Sequence, residues 1–322
     1  MPHRMPGRLT LLALLAAGAA ASAASAHAQN GRAALPRLDS ALLVRDLHVL
    51  AADSMEGRRV GTPGGARARA YLTSRLRQAG VRALGDSLAS PFKTTTRGGA
   101  EISGTNLVGV VRGTRYPDRY IVLSAHYDHV GVRNGQVYPG ADDNASGTAA
   151  VLAIAAWLTA HPPANSVIVA LFDAEESGLL GARAFVAAPP VPIGQVVADV
   201  NLDMVGRNEK GELYAAGGAP HPVMRPLIAA TTAVAPVTLI AGHDAGTGRD
   251  NWTNQSDQGA FQAEGIPWVY FGVEDHPDYH RPTDFPDRIE PGFFFRCATT
   301  VAEFVRRLDA AADEVARARA GR

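Results

Sequence analysis

Ser166-Val167-Ile168-Val169-Ala170-Leu171-Phe172 is an almost wholly apolar run that ends in Asp173-Ala174-Glu175-Glu176. Its length and β-branched content read as a strand, and its lack of alternation reads as a strand covered on both faces. Other segments repeat the arrangement of an apolar run delivering a metal-binding side chain. Tyr120 to Ala125 runs into His126, with Asp128 two residues on; Val196 to Leu202 runs into Asp203; Pro267 to Gly272 leads to His280. The Gly-bounded loop from Gly140 to Gly147 offers Asp143. Helical patterns alternate with these runs at 146–160, 178–187, 222–233, near 257–264 and from 293 onward. Strands separated by helices predict an α/β fold, a three-layer αβα arrangement with a mixed, mostly parallel central sheet. In such sheets ligands bind beyond the carboxyl ends of the strands, which is where these side chains fall.

Ahead of this region, Asp39-Ser40 begins an apolar-periodic helix to about Ala52, and 66–79 reads as a second helix closed by Gly80. Residues 91–96 and 106–112 read as strands, and the Gly-, Pro- and Asn-rich stretch 207–254 is expected to form one wall of the site. Arg4 and Arg8 precede an apolar run from Leu9 to Ala24, followed by Ala26-His27-Ala28. That pattern predicts a signal peptide at 1–28 and a single exported domain at 29–322, periplasmic or extracellular. The apolar core is short for a span of about 20 residues, so no membrane association is expected after cleavage.

The 31 basic and 31 acidic residues cancel, leaving no basic excess for nucleic acid or anionic lipid. The single cysteine, Cys297, excludes an internal disulfide and falls in a Phe-rich helical pattern as a core residue. The sequence carries no signal for oligomeric state.

His126 and Asp128, two apart on an extended strand end, share a face. A metal-bound imidazole needs its second nitrogen held by a hydrogen bond, and Asp128 is expected to supply it. Asp142-Asp143-Asn144 before a helix has an ordinary explanation as a capping cluster. Capping accounts for Asn144 or Ser146 but not for two consecutive carboxylates. Glu175 and Glu176 repel each other and point different ways. Glu176 can therefore ligate metal while Glu175 faces a metal-activated water as general base. Two zinc ions would bring four positive charges. Asp143, Glu176, Asp203 and one hydroxide would return four negative ones, as a partly dry site requires. Imidazole and carboxylate donors suit zinc, and the lack of thiolate donors argues against a closed structural site.

Taken together, Ser124-Ala125-His126-Tyr127-Asp128-His129, Gly140-Ala141-Asp142-Asp143-Asn144, Glu175-Glu176-Ser177-Gly178, Asn201-Leu202-Asp203-Met204 and Tyr279-His280-Arg281-Pro282-Thr283-Asp284 run in the order and at the spacing of a known family. The chain resembles the secreted co-catalytic zinc aminopeptidases, zinc-dependent exopeptidases related to glutamate carboxypeptidase, the transferrin receptor ectodomain and glutaminyl cyclases. Ser256-Asp257 and Glu56-Gly57-Arg58 also fit, whereas Gln258 stands where many relatives have His. The resemblance implies two zinc ions per chain, His126 and Asp203 on one, Glu176 and His280 on the other, with Asp143 bridging. It implies Glu175 as general base, Tyr279 as a hydrogen-bond donor to the oxyanion, and a cis peptide bond from Asp143 to Asn144. The implied activity is removal of N-terminal residues from peptides with a free amino terminus. A glutaminyl cyclase on the same scaffold and a non-catalytic binding protein are the rival readings. The first is disfavoured by Tyr279, where the cyclases tend to carry Trp, and the second by retention of every ligand.

Overall fold

The computed structural model describes residues 1, 3, 34–96, 98–248 and 250–321. Apart from Met1 and His3, the expected leader at 1–28 lies outside the described residues. The chain divides into two units, Met1–Leu35 and Pro36–Arg322, and the second carries every element discussed below. Among the described residues no helix is long and apolar enough to cross a membrane.

Helix α1 (Ser40–Leu50) starts where expected, because the Asp39 carboxylate accepts the Leu42 N–H at 3.0 Å. Leu43, Leu47 and Leu50, spaced by one helical turn, face the core. Helix α2 (Pro63–Gln78) is capped by Thr62 and starts with a proline, whose missing N–H costs nothing at that position. Buried Asp46 receives Arg75 through both oxygens and Tyr71 at 2.6 Å, which ties α1 to α2.

The strands are β1 (Arg82–Ala83), β2 (Ala89–Thr95), β3 (Glu101–Val111), β4 (Tyr116–His126), β7 (Asn165–Phe172), β8 (Val196–Leu202), β9 (Glu212–Ala216), β10 (Thr238–Ala241) and β11 (Trp268–Gly272). They form one sheet in the order β1-β3-β7-β4-β8-β11-β9-β10, with β2 also paired to β3. A separate hairpin joins β5 (Gly131–Arg133) to β6 (Gln136–Tyr138). The sheet is mixed. Its central run β7-β4-β8-β11 is parallel throughout, and the antiparallel pairings lie on either side.

Successive residues of a strand point to opposite faces, and the cores show it. On β4, Ile121 and Leu123 pack with Leu43 of α1, Val151 of α3 (Gly147–Ala160) and Phe304 of α7 (Pro291–Ala320). Val122 instead packs with Phe185 of α4 (Leu180–Ala187) and Phe261 of α6 (Gln258–Ala263). Helices therefore cover both faces, which is why β7 is buried at every position. Helix α5 (Arg225–Thr232) completes the set. Cys297 is buried in α7, as its sequence context suggested.

Several helix starts differ from expectation by up to three residues, and two of them bear on the site. Helix α4 begins at Leu180 rather than Gly178 because Gly178 (φ +110) and Leu179 (φ 60) close a tight turn, both donating to the Glu175 carbonyl at 2.8 Å. Ser146 is not the cap of α3. It is already helical, its hydroxyl donates to the Asp142 carbonyl at 2.7 Å, and Asn144 accepts the Gly147 N–H at 2.9 Å.

Candidate metal centre

Because β7, β4, β8 and β11 are adjacent and parallel, their carboxyl ends meet at one edge of the sheet. His126 is the last residue of β4 and Asp203 follows β8 directly. Glu175 and Glu176 sit in the turn after β7, His280 in the loop after β11, and Asp143 in a π-helical turn (Ala141–Ser146) leading into α3. These side chains, dispersed over 155 positions of sequence from His126 to His280 inclusive, converge on one spot.

The convergence has two halves. His126 Nε2 lies 3.3 Å from Asp203 Oδ1, 3.5 Å from Asp143 Oδ1 and 4.0 Å from Glu175 Oε2. His280 Nε2 lies 2.9 Å from Asp143 Oδ2 and 3.1 Å from Glu176 Oε2. Asp143 thus turns one oxygen to each half. His129 joins the second half, its Nδ1 2.7 Å from Glu176 Oε1 and 3.6 Å from Asp143 Oδ2. Within each half the donor atoms lie within 4.8 Å of one another.

These residues fit a divalent metal by a direct criterion. Buried polar groups are normally hydrogen-bonded. Yet among the described residues His126 Nε2, His129 Nε2 and Asp203 Oδ1 are buried without a hydrogen-bond partner, and the first and last of these face each other in this centre. The electrostatics agree. Burial, reinforced by Asp257, Asp203 and Glu176, pushes the Glu175 carboxyl well above the usual range, against the pull of His126. Burial opposes charge on His126, but Asp203, Glu175 and Asp143 outweigh it and raise that imidazole well above its ordinary value. Burial likewise opposes ionisation of Glu176, and His129 and His280 overcome it to hold that carboxyl well below. So much like charge in so little water calls for a cation, which would reverse this balance.

Several groups hold the centre in shape. The Asp143–Asn144 peptide bond is cis, as the resemblance implies. The Asp284 carboxylate accepts the N–H groups of Asp142 at 3.0 Å and Asp143 at 3.2 Å. Asn144 donates to the Leu202 carbonyl at 2.9 Å, tying the turn to the end of β8. Arg58, fully buried, donates to the carbonyls of Tyr127, Leu50, Pro139 and Gly140 at 2.6–2.8 Å. Burial lowers the Arg58 pKa to about 10, against Asp143, Asp128, Asp284 and Glu176, so it stays cationic at neutral pH.

The expectation for Asp128 needs correction. The acceptor facing His126 Nδ1 is the Asp128 backbone carbonyl, at 3.1 Å, whereas the nearer carboxylate oxygen is 3.8 Å away. That oxygen is engaged by the Glu175 N–H at 2.9 Å, so Asp128 fixes the glutamate turn instead. Tyr279 stacks on the His280 ring at 4.0 Å, and its hydroxyl makes no hydrogen bond among the described residues. Gln258 accepts from Asn201 at 2.9 Å and donates to the Trp252 carbonyl at 2.6 Å, closing a polar network beneath Asp203. Asp257 is buried with both oxygens unpartnered among the described residues, and burial, reinforced by Asp203 but opposed by His126, pushes it up to about 7. Sequence reasoning noted Asp257 only within a motif and did not single out His129. A third polar residue after His126 was the available signal for the latter.

A cleft of about 580 Å³ opens from the centre, with Glu175, Glu176, Tyr279 and His280 on its inner side. Thr95 at the end of β2 and Asn254 from the 207–254 stretch contribute to its walls, the latter as expected.

Comparison with known proteins bears on this geometry. Residues 106–305 match peptidase family M28. A probable zinc metalloprotease of Pyrenophora tritici-repentis is 36% identical over 114 residues, 34% of this chain and 25% of that protein. The chain's matched part spans about a quarter of the length of the first such curated relatives. Among solved structures, the zinc aminopeptidase BSAP from Bacillus subtilis superposes with a TM-score of 0.70 at 16% identity, covering 84% of this chain and 96% of that one. Glutaminyl cyclase from Porphyromonas gingivalis gives 0.71 at 19%, covering 85% and 99%. At these identities the structural likeness speaks for the fold.

Proposed function

The chain belongs to peptidase family M28, and from that premise we propose that it is an exported zinc aminopeptidase that removes N-terminal residues from peptides. The observation that carries this reading is the split donor set. Asp143 Oδ1 faces His126 and Asp143 Oδ2 faces His280, so one carboxylate stands between two groups of ligands. His126 and Asp203 would hold one zinc ion, Glu176 and His280 the other, with Asp143 shared. His129, against Glu176, orients that carboxylate from behind. Zinc in such a site supplies Lewis acidity and makes water acidic at neutral pH.

The protein's own groups do the rest. Glu175, nearly buried beside His126, accepts a proton from the attacking water at Oε2 and returns it to the departing amine. The Asp128 carboxylate, bonded to the Glu175 N–H, fixes where that proton is taken up. The Tyr279 hydroxyl, without a hydrogen bond among the described residues, is the donor to the oxyanion that develops on the scissile carbonyl.

The test is a panel of leucyl-anilide, free di- and tripeptides and their N-acetylated forms, assayed before and after chelation and zinc restoration. Free termini should be cleaved, acetylated ones spared, and chelation should abolish turnover reversibly. Equal cleavage of acetylated peptides contradicts the aminopeptidase reading. Cyclisation of N-terminal glutamine supported by a single ion would replace it with the cyclase.

A further inference from the structure

The outer part of the cleft holds a charge that the reaction as proposed does not use. Arg183 lies on α4 and lines the same cleft as Glu175 and His280. Its side chain is exposed and makes no ion pair or hydrogen bond among the described residues. Other arginines near the centre are engaged: Arg58 by four carbonyls, and Arg207 by Asp278 at 2.6 Å. The platform beneath Arg183 is firm. Ala182 and Phe185 are buried on either side of it, and Gly181 packs directly on the Asp173 backbone.

We propose that this cleft receives the peptide downstream of the scissile bond and that Arg183 binds a carboxylate there. Resting on the aminopeptidase reading, this makes short peptides with a free C-terminus, or peptides with an acidic residue at the second position past the cleavage point, the favoured substrates. The orientation follows from charge. A substrate's α-ammonium is repelled by an unpaired guanidinium and attracted by the carboxylates further in, so the amino end points inward. The rest of the chain leaves along the open cleft, past Thr95 and Asn254, and reaches Arg183. A planar guanidinium binds a carboxylate through two parallel hydrogen bonds, which an ammonium cannot match.

The experiment uses the zinc-loaded full chain and compares kcat/KM for Leu-Gly-Gly as the free acid, Leu-Gly-Gly-amide, Leu-Gly-Glu-amide and leucyl-anilide. Each peptide value is divided by the anilide value of the same preparation, which removes any loss through misfolding. Wild type should favour the acid over the amide by about tenfold, mainly through KM, as a charge-assisted pair at a cleft rim allows. Arg183→Met should bring that ratio near one, and Arg183→Lys should recover part of it. If the Glu-amide is favoured equally, the subsite reads any nearby carboxylate. If only the acid is favoured, it reads the chain terminus. An unchanged acid-to-amide ratio in Arg183→Met overturns the proposal. If the anilide and peptides are inert throughout, the aminopeptidase reading has failed, and Arg183 is judged by calorimetry. The acid must then bind more tightly than the amide in wild type and lose that margin in Arg183→Met, or the subsite is wrong as well.

Discussion

Arg58 shows how much of this centre depends on one side chain outside it. Its guanidinium is buried among the carbonyls of Leu50, Tyr127, Pro139 and Gly140, and so joins the end of α1 to the loop that follows β4 and β6. Gly57 makes the approach possible, since a Cβ there would lie 2.5 Å from the Tyr138 carbonyl oxygen. Arg58→Met would take this donor from the buried carbonyls of Leu50, Tyr127 and Pro139 and leave that of Gly140 with only the Ala145 N–H, and the expected loss is at least about 3 kcal/mol, read from the urea midpoint. Arg58→Lys should recover only part, because an ammonium cannot reproduce the planar fork. An unchanged midpoint in Arg58→Met would show the contact to be dispensable. At this scale the sequence disclosed the converging residues but not their atoms. The i, i+2 spacing of His126 and Asp128 placed both on one face without saying that the backbone carbonyl, not the carboxylate, would meet the ring. His129 was missed for a related reason. The strand ends at His126, so alternation no longer tells where residues 127–130 point.

The elements that matter most are the ends of β7 and β8 and the turns that leave them. Between β7 and α4, Asp173 to Leu179 is held by Asp128, by Asn106 and by Gly181. A Cβ at Gly181 would lie 2.2 Å from the Asp173 carbonyl oxygen and 2.4 Å from Asn106 Oδ1. Gly181→Ala must therefore lift α4 off β7, at a cost of about 1–3 kcal/mol, and shift Glu175 and Glu176 with it. Zinc content and anilide turnover should both fall. Gly194→Ala, where a new Cβ meets nothing within 4 Å, serves as the control and should leave both alone. If Gly181→Ala behaves like the control, the turn is not positioned as described. Buried strands such as β7 and β8 were legible because a run covered on both faces must be apolar throughout. Short β9 and β10 were not, because their few residues sit within the loop-like composition of 207–254. The antiparallel flanks were equally hidden, since strand composition does not encode direction.

For the molecule as a whole, the buried carboxylates make metal and pH inseparable. In the metal-free chain, burial pushes Asp257 and Asp284 up to about 7. A carboxyl whose folded pKa is raised binds more protons folded than unfolded, so its contribution to stability declines as pH rises from its ordinary value, about 4, through 7. Bound zinc offsets the surplus negative charge and stabilises by mass action. The zinc-induced rise in Tm should therefore be larger near pH 7.5 than near pH 5. An equal or smaller rise at the higher pH would mean that these carboxyls do not sense the ion. The central claim, that neighbouring glutamates divide the work of holding metal and moving the proton, is tested most directly on one variant. Glu175→Gln should retain two zinc ions per chain while kcat on leucyl-anilide falls by about 10²–10⁴-fold. Two ions with turnover near that of wild type would contradict it.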